Sequence, residues 1–401
     1  MTHIAGNSGE GVRSDCLVSL TLTSGQGISI NLNSKVKSMY GESIDSLCHD
    51  ILNFYGIKNA VLEIDDKGAL PFTLAARLEA VVRKHLDTKK EYLLPFLSQN
   101  NYSTNRDADR FSRLYLPGNN PKLMINAGIY ECHGIILDLE DSVTPEKKYE
   151  ARFLVRNALR SVDFYGAERM VRINQLPAGL NDLNFVVPHK VNLILIPKCE
   201  HATQVLQVEM KISEILGHQN NAIWLMPIIE NAAGVLAAFE IARASENVVA
   251  MAIGLEDYTA DIGVQRTAEG KESFFARCIV INAAKAAGIQ PIDSVFSDIG
   301  DMEALAKAAK ESKSLGFAGM GCIHPRQVPI INKNFLPSDE EIQRAQRIVC
   351  ASEKAEKDGV GVVVLDSKMI DPPVVKRALR TIGQAVKEGK LVNNWRDTHE
   401  N

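Results

Sequence analysis

The sequence predicts an α/β protein in which a (β/α)8 barrel follows a small α+β domain and precedes a helical extension. From residue 110 onward, eight short apolar runs alternate with stretches of helical spacing, a pattern typical of parallel strands and their covering helices. The segment that holds these runs is about 220 residues long, which suits a closed barrel. A doubly wound open sheet is the main alternative, but the count of eight and the lack of a glycine-rich first turn disfavour it.

The first 86 residues are predicted to form the small α+β domain. Its apolar positions alternate as in strands or follow helical spacing, and SGQG is predicted to be the turn that joins the first two strands as a pair. The expected strand, strand, helix, strand and helix lie at Cys16–Leu22, 28–32, 44–55, 60–64 and 72–85. Residues 87–109 are polar and rich in Asn, Asp and Ser, so we expect a linker there.

The barrel is expected over residues 110–337. Its eight strands are predicted from the apolar runs at 114–116, 134–139, 170–174, 193–197, 223–229, 248–254, 292–296 and 319–323. The remaining residues, 338–401, are predicted to form two or three helices around a strand-like apolar run at 360–365.

The composition excludes several classes of protein. Lys and Arg number 45 against 49 Asp and Glu, and this net charge of -4 argues against a nucleic acid or an anionic membrane as partner. The seven cysteines are scattered and include no C-x-x-C pair, which indicates a reducing cytoplasm and no thiolate metal site. No run of about 18 apolar residues occurs, and the polar start MTHIAGNSGEG does not resemble a signal peptide.

Charged residues follow the predicted barrel strands at seven consecutive strand ends. Because the carboxyl ends of barrel strands meet at the face where barrel enzymes do their chemistry, we expect these side chains to gather there. A single charge at a strand end is explained by solvation of the loop, but seven in succession favour a site. These residues are Asp138, Glu140, Asp141, Arg172, Lys198, Glu230, Glu256, Asp257, Asp298, His324 and Arg326.

Several carboxylates at one mouth predict a bound cation. Acidic side chains that lie together repel one another, and their pKa values rise unless a cation lies among them. Oxygen ligands without cysteine favour a hard ion such as Mg²⁺, which needs only one or two protein carboxylates. Arg172 and Lys198 would then bind an anionic substrate. From the residues alone, we expect a metal-assisted enzyme that acts on a small carboxylate, and the reaction remains open.

Segments over residues 110–375 resemble the citrate lyase beta-subunit family, within the citrate lyase/aldolase superfamily that includes malyl- and citramalyl-CoA lyases. The matching segments are SRLYLPGNNPKL, GIILDLEDSVTPEKKYEAR, VRINQL, LIPKCE, IIENAAGVLAAFEIA, AIGLEDYTADIG, SDIGDME and GFAGMGCIHPRQV. The resemblance implies a (β/α)8 barrel, Mg²⁺ dependence, a homo-oligomer and cleavage of a 3-hydroxy-3-carboxyalkyl thioester.

The first domain resembles the citrate lyase gamma subunit, a small acyl carrier protein. The resemblance is carried by GVRSDCLVSLTL and VLEIDDKGALPFTLAARLEAVV. In that family, a serine shortly before an aspartate holds a phosphoribosyl-dephospho-CoA group through a phosphodiester, which makes Ser14 the candidate attachment site. The family often shows Glu-Ser-Gly-Asp or Glu-Ser-Ser-Asp at this point, where this chain has Val12-Arg13-Ser14-Asp15.

The resemblance implies a role for each residue of the predicted barrel site. Glu230 and Asp257 match the family's Mg²⁺ ligands, and Arg172 matches the arginine that binds the keto acid and the thioester oxygen. Asp298 matches an aspartate that the family supplies to a neighbouring subunit. The resemblance implies that Asp138, Glu140 and Lys198 support the site or contact the substrate. A structural ion pair is the alternative for each of them. Glu256 is expected to have a supporting role or to face outward, because adjacent strand residues alternate, and His324 is expected to fix the end of the last run.

The implied reaction is a retro-Claisen cleavage that yields an acetyl thioester and a keto acid. Arg172 would stabilise the enolate oxygen and Asp298 would protonate the enolate carbon. One alternative keeps this chemistry but uses free citramalyl-CoA or malyl-CoA, with a vestigial carrier domain. A second is a non-catalytic carrier or scaffold, which the joint presence of Glu230, Asp257 and Arg172 disfavours. A separate alpha-type acyl-transferase subunit is a candidate partner.

Overall fold

A computed structural model describes residues 1–220, 222–357, 359 and 363–398 of the chain. The first domain has the order β1 (Thr2–Gly6), β2 (Cys16–Leu22), β3 (Ile28–Ser34), α1 (Lys37–Phe54), β4 (Ala60–Asp66) and α2 (Pro71–His85). Its four strands form one sheet in the order β1-β2-β4-β3, in which only β3 and β4 are parallel. Alternate residues of β2 are buried, as the apolar alternation of CLVSLTL requires.

One sequence expectation for this domain is wrong, and one of its strands was not predicted. Strands β2 and β3 do not pair as a hairpin, because β4 lies between them and is hydrogen-bonded to both. Strand β1 was not expected, since the polar sequence around it hides a short edge strand that pairs with β2. Both errors concern pairing between distant segments, which local alternation does not specify.

Eight of the described strands close into a parallel barrel, in agreement with the predicted fold class. They are β5 (Ser112–Pro117), β6 (Gly134–Asp138), β7 (Glu168–Arg172), β8 (Leu193–Ile196), β9 (Trp224–Ile229), β10 (Ala250–Ile253), β11 (Gln290–Asp293) and β12 (Gly319–Cys322). Strand β12 closes the barrel against β5. A Cβ at Gly319 would lie 1.9 Å from the carbonyl oxygen of Arg110, so this closure requires glycine.

Helices cover the outside of the barrel. They are α3 (Pro121–Met124), α4 (Lys148–Ser161), α5 (Gly179–Val186), α6 (Ala202–Leu216), α7 (Ala232–Leu236), α8 (Ala238–Ala242), α9 (Leu255–Asp261), α10 (Lys271–Ala286), α11 (Met302–Leu315) and α12 (Gln327–Phe335). Side chains cap some of these helices, as where the Asp301 carboxylate accepts from the N–H of Ala304 at 2.8 Å. In the described part of the chain, no helix is long and apolar enough to cross a membrane.

The segment expected to be a linker is packed against the barrel. It lacks regular structure except for a 3-10 turn at Ser98–Asn100, yet the Asn100 side chain is buried and donates to the carbonyl oxygens of Leu159 and Val162. Arg110, the residue that follows the segment, binds the Glu168 carboxylate through two hydrogen bonds of 2.7 and 2.8 Å and donates to the carbonyl oxygens of Arg106 and Ala108 within the segment. The segment therefore follows a fixed path along the barrel.

The C-terminal region contains α13 (Asp339–Lys357), a hairpin of β13 (Val363–Leu365) and β14 (Lys368–Ile370), and α14 (Pro372–Lys387). The predicted run at 360–365 is thus partly a strand, and its residues 360–362 lie outside the described residues. These elements have an apolar cluster of their own, separate from the cluster that runs through the first domain and the barrel.

Candidate active site at the carboxyl ends of the barrel strands

A cavity of about 450 Å³ opens at the carboxyl ends of the barrel strands. It is lined by Asp138, Asp141, Arg172, Glu230 and Asp257, among other residues. The structure therefore brings together most of the charged side chains that the sequence predicted to gather at this face.

Arg172 ends β7 and is held by the buried carboxylate of Asp138, which ends β6. Its Nε and Nη2 donate to the two Asp138 oxygens at 2.6 and 2.7 Å. Burial alone would raise the pKa of Asp138, but the hydrogen bonds and charge of Arg172 lower it overall. The same ion pair raises the pKa of Arg172 despite its burial. Asp138 therefore fixes the direction of a guanidinium that keeps its charge.

Glu140 and Asp141 surround the outer side of the same guanidinium. Arg172 Nη1 lies 3.0 Å from Glu140 Oε2 and 3.1 Å from Asp141 Oδ2. Gln175 donates to the other Glu140 oxygen at 2.9 Å. Burial and the neighbouring Asp141 carboxylate raise the pKa of Glu140 to about 7. This part of the site therefore has more carboxylates than cations.

Glu230 follows β9 and is buried beneath the mouth. Its Oε2 accepts a hydrogen bond of 2.8 Å from the backbone N–H of Lys198. A Cβ at Gly254 would lie 2.6 Å from Oε1, so this glycine leaves the space that the carboxylate occupies. Burial raises the pKa of Glu230 to about 7, and the Asp257 and Glu140 carboxylates add to the rise.

Lys198 and Asp257 complete the mouth. Lys198 Nζ lies 3.5 Å from Asp257 Oδ1 and 3.8 Å from Glu140 Oε1. Asp257 lies in the first turn of α9 and not on a strand, so the alternation argument used for Glu256 was wrong. Glu256 also lines the cavity, but its carboxylate is paired with Arg266 at 2.7 Å.

The donors fit a hard divalent cation held by two carboxylates. Among the described residues, no group of three or more His, Cys, Asp and Glu side chains is arranged to hold a metal ion. Glu230 and Asp257 nevertheless line one cavity, and Oε1 of Glu230 receives no hydrogen bond from the described residues. Mg²⁺ commonly takes one or two protein carboxylates and completes its shell with waters and substrate oxygens. The raised pKa of Glu230 is the response expected of a buried carboxylate near other acids.

Asp298 is not part of this cavity lining. It lies in an exposed loop beyond β11, where its Oδ1 accepts from the N–H of Gly300 at 2.8 Å. The strand expected at 292–296 begins and ends earlier, so its terminal carboxylate is Asp293, which pairs with Arg277 at 2.6 Å. His324 and Arg326 form a local turn, in which His324 Nδ1 accepts from the N–H of Arg326 at 3.1 Å.

Ser14 is partly buried in a turn of the first domain and has a φ of 58°. The next residue, Asp15, is buried and binds Arg77 through two hydrogen bonds of 2.9 and 3.0 Å. Arg77 Nη2 also donates to the carbonyl oxygen of Asn119 at 3.1 Å. Asn119 belongs to the loop after β5, whose Pro117 lines the cavity. Asp15, next to Ser14, is thus linked through Arg77 to a loop at the carboxyl ends of the barrel strands.

Sequence reasoning missed several residues of the cavity, among them Arg113 and Tyr115. Both lie within β5 and not at its end, and both line the cavity. Tyr115 lies under the Arg172 guanidinium, with 5.3 Å from Cζ to the ring centroid. The signal was an arginine at an interior position of an apolar strand, which is unusual in a barrel core.

The family model described as HpcH/HpaI aldolase/citrate lyase matches residues 112–325. A second model, of an acyl carrier type and described as malonate decarboxylase delta subunit, matches residues 4–85. These matches correspond to the barrel and to the first domain.

Individual proteins give the same result. The citrate lyase subunit beta of Leuconostoc mesenteroides is 38% identical over 69% of this chain and 94% of its own length. The human mitochondrial citramalyl-CoA lyase is 29% identical over 72% of this chain and 89% of its own length. A crystal structure of the CitE protein from Mycobacterium tuberculosis with magnesium, acetoacetate and coenzyme A is 30% identical, with a TM-score of 0.59. It covers 70% of this chain and 100% of its own.

Proposed function

Since the chain belongs to the HpcH/HpaI aldolase/citrate lyase family and is a carbon–carbon lyase, we propose that it cleaves a 3-hydroxy-3-carboxyalkyl thioester. The products would be an acetyl thioester and a keto acid. The observation that carries the proposal is the cavity in which Arg172, fixed by Asp138, faces the same space as Glu230 and Asp257. A guanidinium and two carboxylates at one mouth suit a substrate that is both anionic and metal-bound.

The reaction moves one proton and breaks one carbon–carbon bond. The 3-hydroxyl loses its proton, the bond between C2 and C3 breaks, and its electron pair forms the enolate of the acetyl thioester. Arg172 is placed to stabilise the enolate oxygen, because Asp138 holds its guanidinium before the substrate arrives. A proton is then added to the enolate carbon, and C3 becomes the carbonyl of the keto acid.

Glu230 and Asp257 are the residues that would hold Mg²⁺ in this lyase. When bound, Mg²⁺ lowers the pKa of the substrate hydroxyl and stabilises the keto group that develops. Lys198 lies at the same mouth, where its ammonium group balances Asp257 and Glu140 and attracts the substrate carboxylate. In CitE of Mycobacterium tuberculosis, magnesium is present together with acetoacetate and coenzyme A.

The test is cleavage of synthetic citryl and citramalyl thioesters by the full-length protein, with keto acid release followed during a Mg²⁺ titration. Turnover should need Mg²⁺, and Glu230→Ala combined with Asp257→Ala should abolish it. Glu256→Gln is the control, because Glu256 lines the same cavity but its carboxylate is already paired with Arg266. A double variant that still responds to Mg²⁺ would show that the ligands are wrongly assigned.

For Asp298, we propose a role in the site of a neighbouring copy, as the family resemblance implies. The exposed position of Asp298, outside the cavity of its own chain, suits this role. Mixing inactive Asp298→Asn and Arg172→Ala proteins after dissociation and reassembly should restore about a quarter of the activity in a dimer with shared sites. No recovery in exchanged mixtures would show that Asp298 does not act in the site of a neighbouring copy, and wild-type activity of Asp298→Asn alone would place it outside the reaction.

We further propose that Ser14 carries a phosphoribosyl-dephospho-CoA arm that delivers the acyl group to this barrel. Support comes from the contact path through Asp15, Arg77 and Asn119, which keeps the Ser14 turn beside the catalytic face. The match of residues 4–85 to an acyl carrier model is consistent with such an arm. A separate alpha-type subunit would then exchange the acyl group on the arm.

A second candidate is cleavage of a free CoA thioester, and the conformation of Ser14 favours it. With a φ of 58°, Ser14 has the backbone that glycine adopts most readily, as at the third position of Glu-Ser-Gly-Asp. In that register, Arg13 takes the place of the attachment serine. Measuring the intact mass of the native protein separates the two candidates. A CoA-sized adduct that is present in the native protein and absent from Ser14→Ala supports the arm. An unmodified chain that cleaves free CoA thioesters supports the second candidate.

The cellular setting follows from the same proposal. The acyl thioester would be drawn from the cytoplasm, where the scattered cysteines of the sequence would stay reduced.

A further inference from the structure

Arg113 is a buried arginine inside the barrel that the proposed reaction does not use. It is the second residue of β5 and is 1% exposed. It shares the interior face of the strand with Tyr115, which packs on the apolar cluster inside the barrel. Its paired residues on the two adjacent strands are Gly134 and Gly321, which have no side chains of their own beside it.

The guanidinium crosses the barrel without reaching an oxygen acceptor. Its Nη1 lies 3.1 Å from Met226 Sδ on β9, which is four strands away in the closed barrel. Its Nε is buried without a hydrogen-bond partner, and no carboxylate of the described residues lies within ion-pair distance. A thioether is a weak acceptor, so the cation is poorly compensated.

The other fully buried arginines show what this one lacks. Arg77, Arg110 and Arg156 each bind a carboxylate, at 2.9, 2.7 and 2.5 Å respectively. Arg169 donates to the Asn192 side chain and to backbone carbonyl oxygens. Burial lowers the pKa of Arg113 to about 10, so the side chain still carries its charge at neutral pH. A buried charge without a partner is unfavourable, and an anion from outside would relieve it.

We propose that Arg113 binds a second carboxylate of the substrate at the floor of the active-site cavity, an inference that rests on the proposed function. Arg113 and the proposed metal ligands line the same cavity. Arg113 lies four residues before Pro117 on β5, whereas Glu230 and Asp257 follow the ends of their strands. The reacting carbon would lie at the mouth, and the second carboxylate would point into the barrel.

This placement selects a substrate class. A citryl group has a carboxymethyl group on the reacting carbon, whereas a citramalyl group has a methyl there and a malyl group a hydrogen. Arg172 has no donor left for the extra carboxylate, because Asp138, Glu140 and Asp141 bind four of its N–H groups and the remaining one, on Nη2, is assigned to the enolate oxygen. The Arg113 guanidinium therefore favours acyl groups whose keto acid product is a dicarboxylate.

The test compares binding of oxaloacetate and pyruvate, two keto acids that differ by one carboxylate. Calorimetric titration of the full-length protein with Mg²⁺ should give at least about tenfold tighter binding of oxaloacetate. Arg113→Met should remove this preference by weakening the binding of oxaloacetate, and it should leave the affinity for pyruvate within about twofold of the wild-type value. Arg113→Lys should retain part of it. An unchanged preference in Arg113→Met would overturn the proposal, as would equal binding of both acids by the wild type.

Two controls separate the origins of a negative result. Arg266→Met removes a cation beside the same mouth that is already bonded to Glu256 and Val295, and it should leave the preference unchanged. The melting temperature of Arg113→Met should be no lower than that of the wild type, because an apolar residue replaces an uncompensated charge. If Arg113→Met does not fold, Arg113→Gln is used for the same binding comparison. Binding of both acids that ignores Mg²⁺ would count against the proposed metal site, whereas Mg²⁺-dependent binding without an Arg113 effect counts against Arg113 alone.

Discussion

At the scale of single residues, the site depends on a guanidinium whose direction is set before any substrate binds. Arg172 uses Nε and Nη2 for Asp138 and leaves Nη1 toward Glu140 and Asp141. The two parallel bonds to Asp138 need the planar fork of arginine, which lysine lacks. A lysine at position 172 would therefore keep the positive charge but lose the fixed direction of the donor groups.

Arg172→Lys is expected to keep the fold and lose the reaction. The charge that compensates buried Asp138 remains, so the melting temperature should stay within a few degrees, but the cation no longer has a fixed position. We expect kcat to fall by about 100-fold or more, as for the loss of one preorganised donor. Steady-state cleavage of the thioester measures this. A variant with wild-type kcat would show that charge alone suffices.

Gly254→Ala tests the space around Glu230. The φ of Gly254 is -109°, which any residue adopts, so the substitution adds only a Cβ that would lie 2.6 Å from Glu230 Oε1. The carboxylate must move, and we expect the Mg²⁺ concentration for half-maximal activity to rise about tenfold or more. The matched control is Gly383→Ala, where a Cβ meets nothing within 4 Å. An unchanged Mg²⁺ requirement in Gly254→Ala would argue that Glu230 is not a ligand.

At the scale of elements, the segment between the first domain and the barrel is held by ion pairs. Glu91 accepts from Arg156 Nη1 at 2.9 Å, and Arg156 also binds Glu79 of α2. Burial alone would raise the pKa of Glu91, but His189 and Arg156 lower it to about 2. Since this value is below that of an unfolded glutamate, the pair stabilises the fold above about pH 4 and loses its effect as pH falls toward 2.

Glu91→Gln should therefore destabilise the protein in a pH-dependent way. We expect about 1 kcal/mol lower free energy of unfolding at pH 7 and a difference that shrinks as pH falls through the range from about 4 to 2. Urea unfolding at several pH values measures it. Glu240→Gln, at an exposed position, is the control and should show no such trend. A difference that stays constant with pH would assign the effect to packing and not to charge.

The elements also show how far the sequence alone can predict this structure. The barrel strands were recognisable because each is a buried apolar run in a regular alternation with helices, and β6, β8 and β9 lie where expected, whereas β7 begins and ends two residues earlier. The β2–β3 pairing failed because β4, from a distant segment, inserts between them. The strand-end rule located Arg172 and Glu230, but it could not find Arg113, whose long side chain reaches the cavity from within a strand.

At the scale of the whole molecule, the first domain and the barrel share one core. A single apolar cluster includes Leu20 and Leu78 of the first domain together with Phe153 and Leu154 of α4 in the barrel. The C-terminal elements have a separate cluster that contains Ile382 and Trp395. We infer that the first domain and barrel unfold together, whereas the C-terminal region unfolds on its own.

Leu78→Ala tests this coupling with the barrel's own tryptophan as the reporter. The chain has two tryptophans, Trp224 in β9 and Trp395 in the C-terminal cluster, so a Trp395→Phe background leaves fluorescence that reports on the barrel alone. Leu78 is fully buried in α2, and its truncation should cost about 2–5 kcal/mol. If the core is shared, the unfolding transition reported by Trp224 should move to a lower urea concentration, and the free energy of unfolding derived from it should fall by about 2–5 kcal/mol. Ile382→Ala, a buried truncation in the other cluster, should leave it in place. If Leu78→Ala spares Trp224, the first domain is an independent folding unit, and its turn at Ser14 is free to leave the catalytic face.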